Sequence, residues 1–279
     1  EKKGKEVSAE ILIASDPDSD RLALEVRKTE GTYQFINGNH IGALLTHYIV
    51  SEMAATGKLP KDGAVIKSIV TGDIARKITS KYGLALYDVL TGFKNIAAPV
   101  NDWDTTKEHT FVFGYEESIG YNHGAFVRDK DAVSSAMLLV EAAAFYKKTQ
   151  QKTLLDVLHD IYAEYGYHGN KLISIVKEGA DGQALIGRIM DVFRDKGLID
   201  TGNHKVVRVT DYLYDETGLP KSNVLKYEFE DESWCAIRPS GTEPKIKLYV
   251  YSVAEKESEA DAICEELVEK ITKQMNSVQ

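Results

Sequence analysis

The sequence has few cysteines and no long apolar run. Its 279 residues include only Cys235 and Cys264, which are too few for a disulfide framework and lack the spacing of metal ligands, so we expect buried thiols. No apolar run approaches the roughly 18 residues of a membrane span, and the start, EKKGKEVSAE, has no signal-peptide core. We therefore expect a cytoplasmic protein with no membrane partner.

Basic charge is also scarce. The chain carries 34 Lys and Arg against 43 Asp and Glu, a net charge of −9 at pH 7. Because nucleic-acid binding usually needs a basic face, we expect no nucleic-acid partner, although local basic sites could still bind small anions. The first residue is not methionine, and charged sequence runs directly into a strand, which suggests a piece of a longer protein.

The periodicity of apolar residues predicts an α/β protein of more than one domain. Short runs rich in branched and aromatic residues (AEILIAS, RLALEVR, AVIKSIV, LALYDVL, TFVFGY) alternate with helical stretches. One of these helices, DAVSSAMLLVEAAAFYKK, repeats apolar residues at Val133, Met137, Val140 and Ala144. From about Tyr167 onward, several successive strands between two helices predict a small α+β domain with a mainly antiparallel sheet.

Three aspartates alternate directly after the apolar strand ILIAS. Residues two apart in an extended or looped backbone point the same way, so Asp16, Asp18 and Asp20 can converge. Converging carboxylates repel unless a cation compensates them, and oxygen ligands alone suit Mg²⁺ before Ca²⁺. An EF-hand is excluded, because it needs glycine and glutamate where this chain has Arg21 and Arg27. A solvated acidic turn is the alternative.

Two further loops have the composition of ligand-binding sites. In CAIRPSGTEPK, the Arg238 guanidinium, the Ser240 and Thr242 hydroxyls and the backbone around Gly241 suit a phosphate, although a plain hairpin turn is the alternative. In FVFGYEESIGY, Glu116 and Ser118 lie two apart and suit the hydroxyls of a sugar. Acidic loops between glycines are common, so this second loop is a weak indication by itself.

Together, DPDSDR, GYEES and RPSGTEPK closely resemble the metal-, sugar- and phosphate-binding loops of the phosphohexomutase superfamily, which includes phosphoglucomutase and phosphomannomutase. NGNHIGALL, TGFKNI and FVRDKDAV are also similar to family patterns. The resemblance covers essentially the whole chain but only about the C-terminal half of such an enzyme, and the loop with the phosphorylated serine is absent. It implies the end of a second domain with the metal loop (1–36), a three-layer α/β third domain with the sugar loop (37–166) and a C-terminal α+β domain with the phosphate loop (167–279).

The resemblance also implies an activity: interconversion of hexose 1-phosphate and 6-phosphate through a bisphosphate, with Mg²⁺ on the three aspartates. It implies that Arg21 offsets phosphoryl charge and that Lys130 is the general acid and base. The implied substrate contacts are Glu116, Ser118, Lys94, Arg128, Arg238, Ser240, Gly241 and Thr242. Since Tyr115 in GYEES is more similar to the glucose and pentose phosphate branch, we expect glucose phosphate as substrate, with mannose and pentose phosphates as alternatives. Without the missing N-terminal domains, the chain is expected to be inactive.

Two other functions stay open. A haloacid-dehalogenase-type phosphatase would use Asp16 as nucleophile and Asp18 as acid and base. Such an enzyme usually has threonine or valine where Asp20 stands, and it has no use for the loop around Arg238. A non-catalytic module that binds sugar phosphates is the third possibility, because the nucleophilic serine is missing from this sequence.

Overall fold

The chain forms two compact units. The computed structural model describes residues 1–177, 181–241 and 243–278, and the two units are Glu1–Tyr165 and Gly166–Gln279. The first unit is α/β and the second is α+β with an antiparallel sheet, so the expected fold class is confirmed. The finer division into domains at residues 36 and 166 stays a prediction. Within the described ranges, no helix has the length and apolar character needed to cross a membrane.

The first unit begins with a small antiparallel sheet that leads into a helix. Its elements are α1 (Lys2–Val7), β1 (Ile11–Ser15), β2 (Leu22–Arg27), β3 (Tyr33–Ile36) and α2 (Gly38–Ala55). The strand order is β1-β2-β3. Strand β2 alternates strictly, with Leu22, Leu24 and Val26 buried, as expected for a strand with one face on the core. Helix α2 starts where the Asn37 side chain accepts a hydrogen bond from the backbone N–H of His40.

A mainly parallel sheet follows in the same unit. Its elements are β4 (Gly63–Ser68), α3 (Ile74–Lys81), β5 (Ala85–Val89), α4 (Phe93–Thr106), β6 (Thr110–Glu116) and β7 (Gly120–His123). The order is β5-β4-β6-β7, in which β4 pairs in parallel with β5 and β6 and only β7 is antiparallel. Every residue of β4 is buried. The carboxyl ends of β4, β5 and β6 therefore meet at one edge, the usual place for a binding site in such sheets.

Two helices complete the first unit, α5 (Ala132–Gln150) and α6 (Leu154–Tyr165). Helix α5 packs through Ala132, Ser135, Leu138, Leu139, Ala142 and Tyr146. The apolar repeat noted in the sequence lies on the opposite side, where Val133, Met137 and Val140 are 71%, 62% and 52% exposed. Because α5 is apolar on two faces, periodicity alone cannot decide which face is buried.

The second unit is a five-stranded antiparallel sheet with two helices. Its elements are β8 (Tyr167–Val176), α7 (Gly182–Lys196), β9 (Val206–Asp211), β10 (Leu225–Phe229), β11 (Trp234–Pro239), β12 (Lys245–Ala254) and α8 (Glu257–Ser277). The order is β8-β12-β11-β10-β9. Apolar residues of both helices and of the sheet form one core, which includes Cys235 and Cys264. Both cysteines are free and buried, as expected.

Candidate functional site

The loop after β1 brings the three aspartates together. Ser19 adopts a left-handed backbone conformation (φ 56°), and its N–H donates to the carbonyl oxygen of Asp16 at 3.0 Å, which closes a tight turn before β2. One carboxylate oxygen each of Asp16, Asp18 and Asp20 lies within 4.8 Å of the others. We call this group the acidic cluster. The donor set consists only of carboxylate oxygens, which is the chemistry that a hard divalent cation prefers.

Asp16 is held in its ionised form by the backbone of its own loop. Its Oδ1 accepts hydrogen bonds from the N–H groups of Asp20 at 3.2 Å and Arg21 at 3.1 Å. Partial burial opposes ionisation, but these N–H groups outweigh it, and the pKa of Asp16 is lowered from its ordinary value. At neutral pH, Asp16 therefore contributes a full negative charge to the acidic cluster.

Two cations border the acidic cluster. The Lys130 Nζ lies 2.9 Å from Asp20 Oδ2 and 3.2 Å from Asp129 Oδ1, and the Arg21 Nε lies 3.8 Å from Asp20 Oδ1. Burial would lower the pKa of Lys130, but its hydrogen bonds to Asp20 and Asp129 outweigh it, so the pKa is raised and the side chain is protonated at neutral pH. Among the described residues, the buried Asp20 Oδ1 has no hydrogen-bond donor. This oxygen is therefore available to a ligand.

The two glutamates of the sugar loop have different surroundings. The Glu116 side chain is almost fully buried, and its Oε1 accepts a hydrogen bond of 2.6 Å from the N–H of Gly92. Burial raises the pKa of Glu116, although the hydrogen bond from Gly92 and, after it, the charges of Lys130 and Arg21 partly oppose this. Glu117 instead accepts hydrogen bonds from Ser68 and Thr71 at the end of β4, at 3.2 Å and 3.1 Å. Glu116 is therefore the glutamate under the influence of the cations beside the acidic cluster.

The backbone joins the acidic loop to the sugar loop. The N–H of Leu22 donates to the carbonyl oxygen of Ile119 at 2.9 Å, and Arg21 forms an isolated β-bridge with Gly120. A Cβ on Gly120 would lie 2.3 Å from the Cδ of Lys130, so only glycine lets the lysine side chain lie across this loop. The acidic cluster, Lys130 and Glu116 thus form one constellation within the first unit, and Ser118 is exposed in the same loop.

The other two predicted residues of the first unit, Lys94 and Arg128, have different surroundings. Lys94 is exposed in the first turn of α4, two residues after Gly92, whose N–H donates to Glu116. The Arg128 Nη2 lies 2.5 Å from Asp104 Oδ2, near the other end of the same helix. The structure therefore brings Lys94 to the helix end beside Glu116 and engages Arg128 with Asp104.

The predicted phosphate loop belongs to the second unit, between β11 and β12. The N–H of Ser240 donates to the carbonyl oxygen of Lys245 at 2.7 Å, which closes the turn. Arg238, Ser240 and Gly241 line a cavity of about 370 Å³, whose other walls include α7. A Cβ on Gly241 would meet no atom within 4 Å, so the loop backbone faces open space. Thr242, the fourth predicted contact, lies outside the described residues.

Sequence reasoning missed a buried charged group beneath the sugar loop. The Lys67 side chain in β4 is fully buried, with its Nζ 3.0 Å from Asp73 Oδ1 and 2.7 Å from Asp88 Oδ1. The same Nζ donates to the carbonyl oxygen of Thr71 at 3.0 Å, and Thr71 Oγ1 accepts the N–H of Glu117 at 3.1 Å. A lysine within the apolar strand AVIKSIV was the available signal, because a buried lysine needs a carboxylate partner.

Comparison with known proteins identifies related sequences for most of the chain. Residues 37–165 match the family described as phosphoglucomutase/phosphomannomutase, alpha/beta/alpha domain III, and residues 175–270 match the phosphoglucomutase/phosphomannomutase C-terminal domain. A phosphoglucomutase of Staphylococcus epidermidis is 40% identical over 258 residues, which are 88% of this chain and 45% of that protein. The chain thus spans less than half the length of this relative.

Solved structures agree at the level of the fold. The open form of parafusin, a phosphoglucomutase from Paramecium, matches with a TM-score of 0.69 at 17% identity, over 96% of this chain and 46% of that one. An N-acetylphosphoglucosamine mutase of Aspergillus fumigatus, solved with GlcNAc-6P and magnesium, matches with a TM-score of 0.52 at 14% identity, over 95% of this chain and 49% of that one. In both cases, more than half of the solved protein lies outside the match.

Proposed function

The chain belongs to the phosphoglucomutase/phosphomannomutase family, and we propose that it is the metal-, sugar- and phosphate-binding part of a phosphohexomutase. Such an enzyme interconverts hexose 1-phosphate and 6-phosphate through a bisphosphate. The observation that carries the proposal is the constellation of the first unit, in which Lys130 contacts the acidic cluster and the loop of Glu116 is bridged to the acidic loop. The phosphoserine would come from the part of the enzyme outside this chain, which by itself would be inactive.

We assign Mg²⁺ to the acidic cluster. The fit is supported by three convergent carboxylates, by the lowered pKa of Asp16 and by the buried Asp20 Oδ1, which has no hydrogen-bond donor within the described ranges. A magnesium ion bound there would neutralise phosphoryl charge and polarise the group for transfer. Arg21 and Lys130 neutralise only part of the charge of the cluster, which leaves it attractive to a divalent cation.

Lys130 is the proposed proton donor and acceptor, and Arg21 is proposed to offset charge on the phosphoryl oxygens. Because the pKa of Lys130 is raised, the lysine enters the reaction protonated, as an acid that can give its proton to a phosphoryl or sugar oxygen. The negative charge of Asp20 favours the protonated form of Lys130. A cation on Asp20 would weaken this effect, so Lys130 would release its proton more readily in the loaded site.

Substrate binding is divided between two loops in this proposal. Glu116 and Ser118 would hold sugar hydroxyls, with Lys94 and Arg128 as further contacts. Arg238, Ser240, Gly241 and Thr242 would bind the phosphate that is not reacting, and the cavity of about 370 Å³ beside the first three supports this assignment. Glucose phosphate is the proposed substrate, because the relative from S. epidermidis is named a phosphoglucomutase. Mannose and pentose phosphates are alternatives, and the proposed compartment is the cytoplasm.

Calorimetric titration of glucose 1-phosphate in the presence of Mg²⁺ tests the proposal. We expect weak binding that Arg238→Ala abolishes and Arg208→Ala preserves, because Arg208 is an exposed arginine of the same sheet that pairs with Glu228. Phosphate is measured in the same samples. Release of phosphate that Asp16→Asn prevents would favour the phosphatase, and binding equal in all three proteins would refute the assigned loop.

A further inference from the structure

The cavity of the second unit has a wall outside the predicted phosphate loop. The loop residues 238–241 line part of this cavity of about 370 Å³, and its other lining residues include Gln183 of α7 and the neighbours Ser222 and Asn223 before β10. None of the described lining residues is acidic, and Arg238 forms no ion pair with any described residue. The cavity is therefore electrostatically suited to an anion.

Asn223 lies at the tip of a tight turn directly before β10. The N–H of Val224 donates to the carbonyl oxygen of Ser222 at 2.8 Å, which closes a three-residue turn around Asn223. The N–H of Ser222 donates to the carbonyl oxygen of Tyr212 at 3.0 Å, and the N–H of Tyr212 donates to the carbonyl oxygen of Val224, also at 3.0 Å. Backbone hydrogen bonds on both sides therefore fix the position of Asn223.

Arg194 of α7 orients the side chain of Asn223. The Arg194 Nη2 donates to Asn223 Oδ1, and the Arg194 Nε donates to Asp211 Oδ2 at 2.8 Å. The Arg194 side chain is only 15% exposed, and its guanidinium lies 5.5 Å from the ring centroid of Tyr214. Because a guanidinium has only donors, it engages the amide oxygen of Asn223 and leaves the Nδ2 group as a donor. Within the described ranges, this Nδ2 has no acceptor.

We propose that Asn223 is a further phosphate-binding residue of this cavity and that Arg194 is its positioning residue. The oxygens of a phosphate dianion only accept hydrogen bonds, so they match both the Nδ2 donor of Asn223 and the guanidinium of Arg238. The ligand class is a phosphate monoester. The inference rests on the proposed function, in which this cavity binds the phosphate that is not reacting.

Calorimetric titration with inorganic phosphate tests the cavity without the sugar or the metal. Asn223→Asp should raise the dissociation constant at least about tenfold, because it retains the acceptor for Arg194 but replaces the donor by a negative oxygen. Asn276→Asp is the matched control in the same unit. The Asn276 Oδ1 also accepts a hydrogen bond from a cation, Lys177 Nζ at 3.0 Å, but Asn276 does not line the cavity, so the affinity should not change.

A double-mutant cycle separates positioning by Arg194 from a general effect on folding. Arg194→Met and Asn223→Ala should each weaken phosphate binding at least about fivefold. Addition of Arg194→Met to Asn223→Ala should cause little further loss, because the amide that Arg194 orients is then absent. Thermal unfolding followed by circular dichroism verifies that each variant is folded.

The outcomes of these titrations are distinct. No binding by the wild type at about 10 mM phosphate would overturn both the inference and the assigned phosphate loop. Binding that Arg238→Ala weakens but Asn223→Asp does not, or that Asn276→Asp weakens equally, would overturn the inference alone. Additive losses in the cycle would overturn the positioning role of Arg194. Phosphate binding that requires Asn223, without binding of glucose 1-phosphate, would support the inference and count against the proposed substrate.

Discussion

Replacement of Lys67 by methionine should destabilise the first unit strongly. Methionine fills a similar volume but removes the positive charge that lies 2.7 Å from Asp88 Oδ1 and 3.0 Å from Asp73 Oδ1. Removal of one partner from a buried ion pair typically costs about 3–5 kcal/mol, because the other charge stays buried without compensation. Here the carboxylates are 25% and 31% exposed and Arg76 stays beside them, so we expect the low end, about 3 kcal/mol.

The two tryptophans of the chain allow an assay of the first unit alone. Trp103 is buried in the first unit and Trp234 in the second, so in a Trp234→Phe background the fluorescence reports only the first unit. Urea unfolding in that background should give a lower midpoint for Lys67→Met with an unchanged slope. Arg76→Met is the matched control, since Arg76 contacts the same two carboxylates but is half exposed, and it should cost no more than about 1 kcal/mol.

The reasoning would be refuted if Lys67→Met cost less than about 1 kcal/mol, or if Arg76→Met cost as much as Lys67→Met. Either result would mean that the buried lysine is not the centre of the charged group. Lys67→Met should also loosen the sugar loop. The Lys67 Nζ donates a hydrogen bond to the carbonyl oxygen of Thr71, and the Thr71 hydroxyl accepts one from the N–H of Glu117. Faster amide exchange at Glu117 would be the sign of this loosening.

Three further perturbations have defined outcomes. Asp131→Ala removes the side chain that accepts the N–H groups at the start of α5, and it should lower the free energy of unfolding by about 1 kcal/mol in urea. Asp20→Asn should weaken Mg²⁺ binding at least about tenfold in calorimetry, whereas Asp104→Asn, outside the acidic cluster, should not; equal affinities would argue against the assigned metal site. Burial opposes ionisation of Asp88, but the charges of Lys67 and Arg76 outweigh it and lower the pKa of Asp88. The ionised carboxylate therefore contributes stability that is fully present above its unfolded pKa of 3.8. This stability is lost as the pH falls through the lower pKa of the folded state. In the Trp234→Phe background, acid titration followed by Trp103 fluorescence should show this loss, and the loss should be smaller when Lys67→Met is added.

The acidic cluster illustrates what local sequence can predict. The alternation of Asp16, Asp18 and Asp20 after an apolar strand was sufficient to predict that their carboxylates converge. Side chains two residues apart point the same way in an extended or looped backbone. The order of strands and helices followed from periodicity for the same local reason. The roles of these residues in binding and catalysis stay predictions, since they depend on groups that the sequence cannot place.

Contacts between distant segments needed the tertiary structure. Glu117 accepts hydrogen bonds from Ser68 and Thr71, which lie 49 and 46 positions earlier in the chain. The ion pair of Arg128 with Asp104 also joins distant segments, since α4 carries the aspartate, and the role of Arg128 as a substrate contact stays a prediction.

By itself, the sequence determined the fold class, the family and the loops that carry polar chemistry, since each depends on the pattern within a short stretch of chain. Only the tertiary structure decided that Lys67 is buried between two carboxylates and that α5 turns its Val133, Met137 and Val140 face to solvent. The physical reason is that burial and ion pairing are properties of surroundings. Those surroundings are assembled from strands and helices far apart in the sequence, so the local periodicity of apolar residues does not predict them.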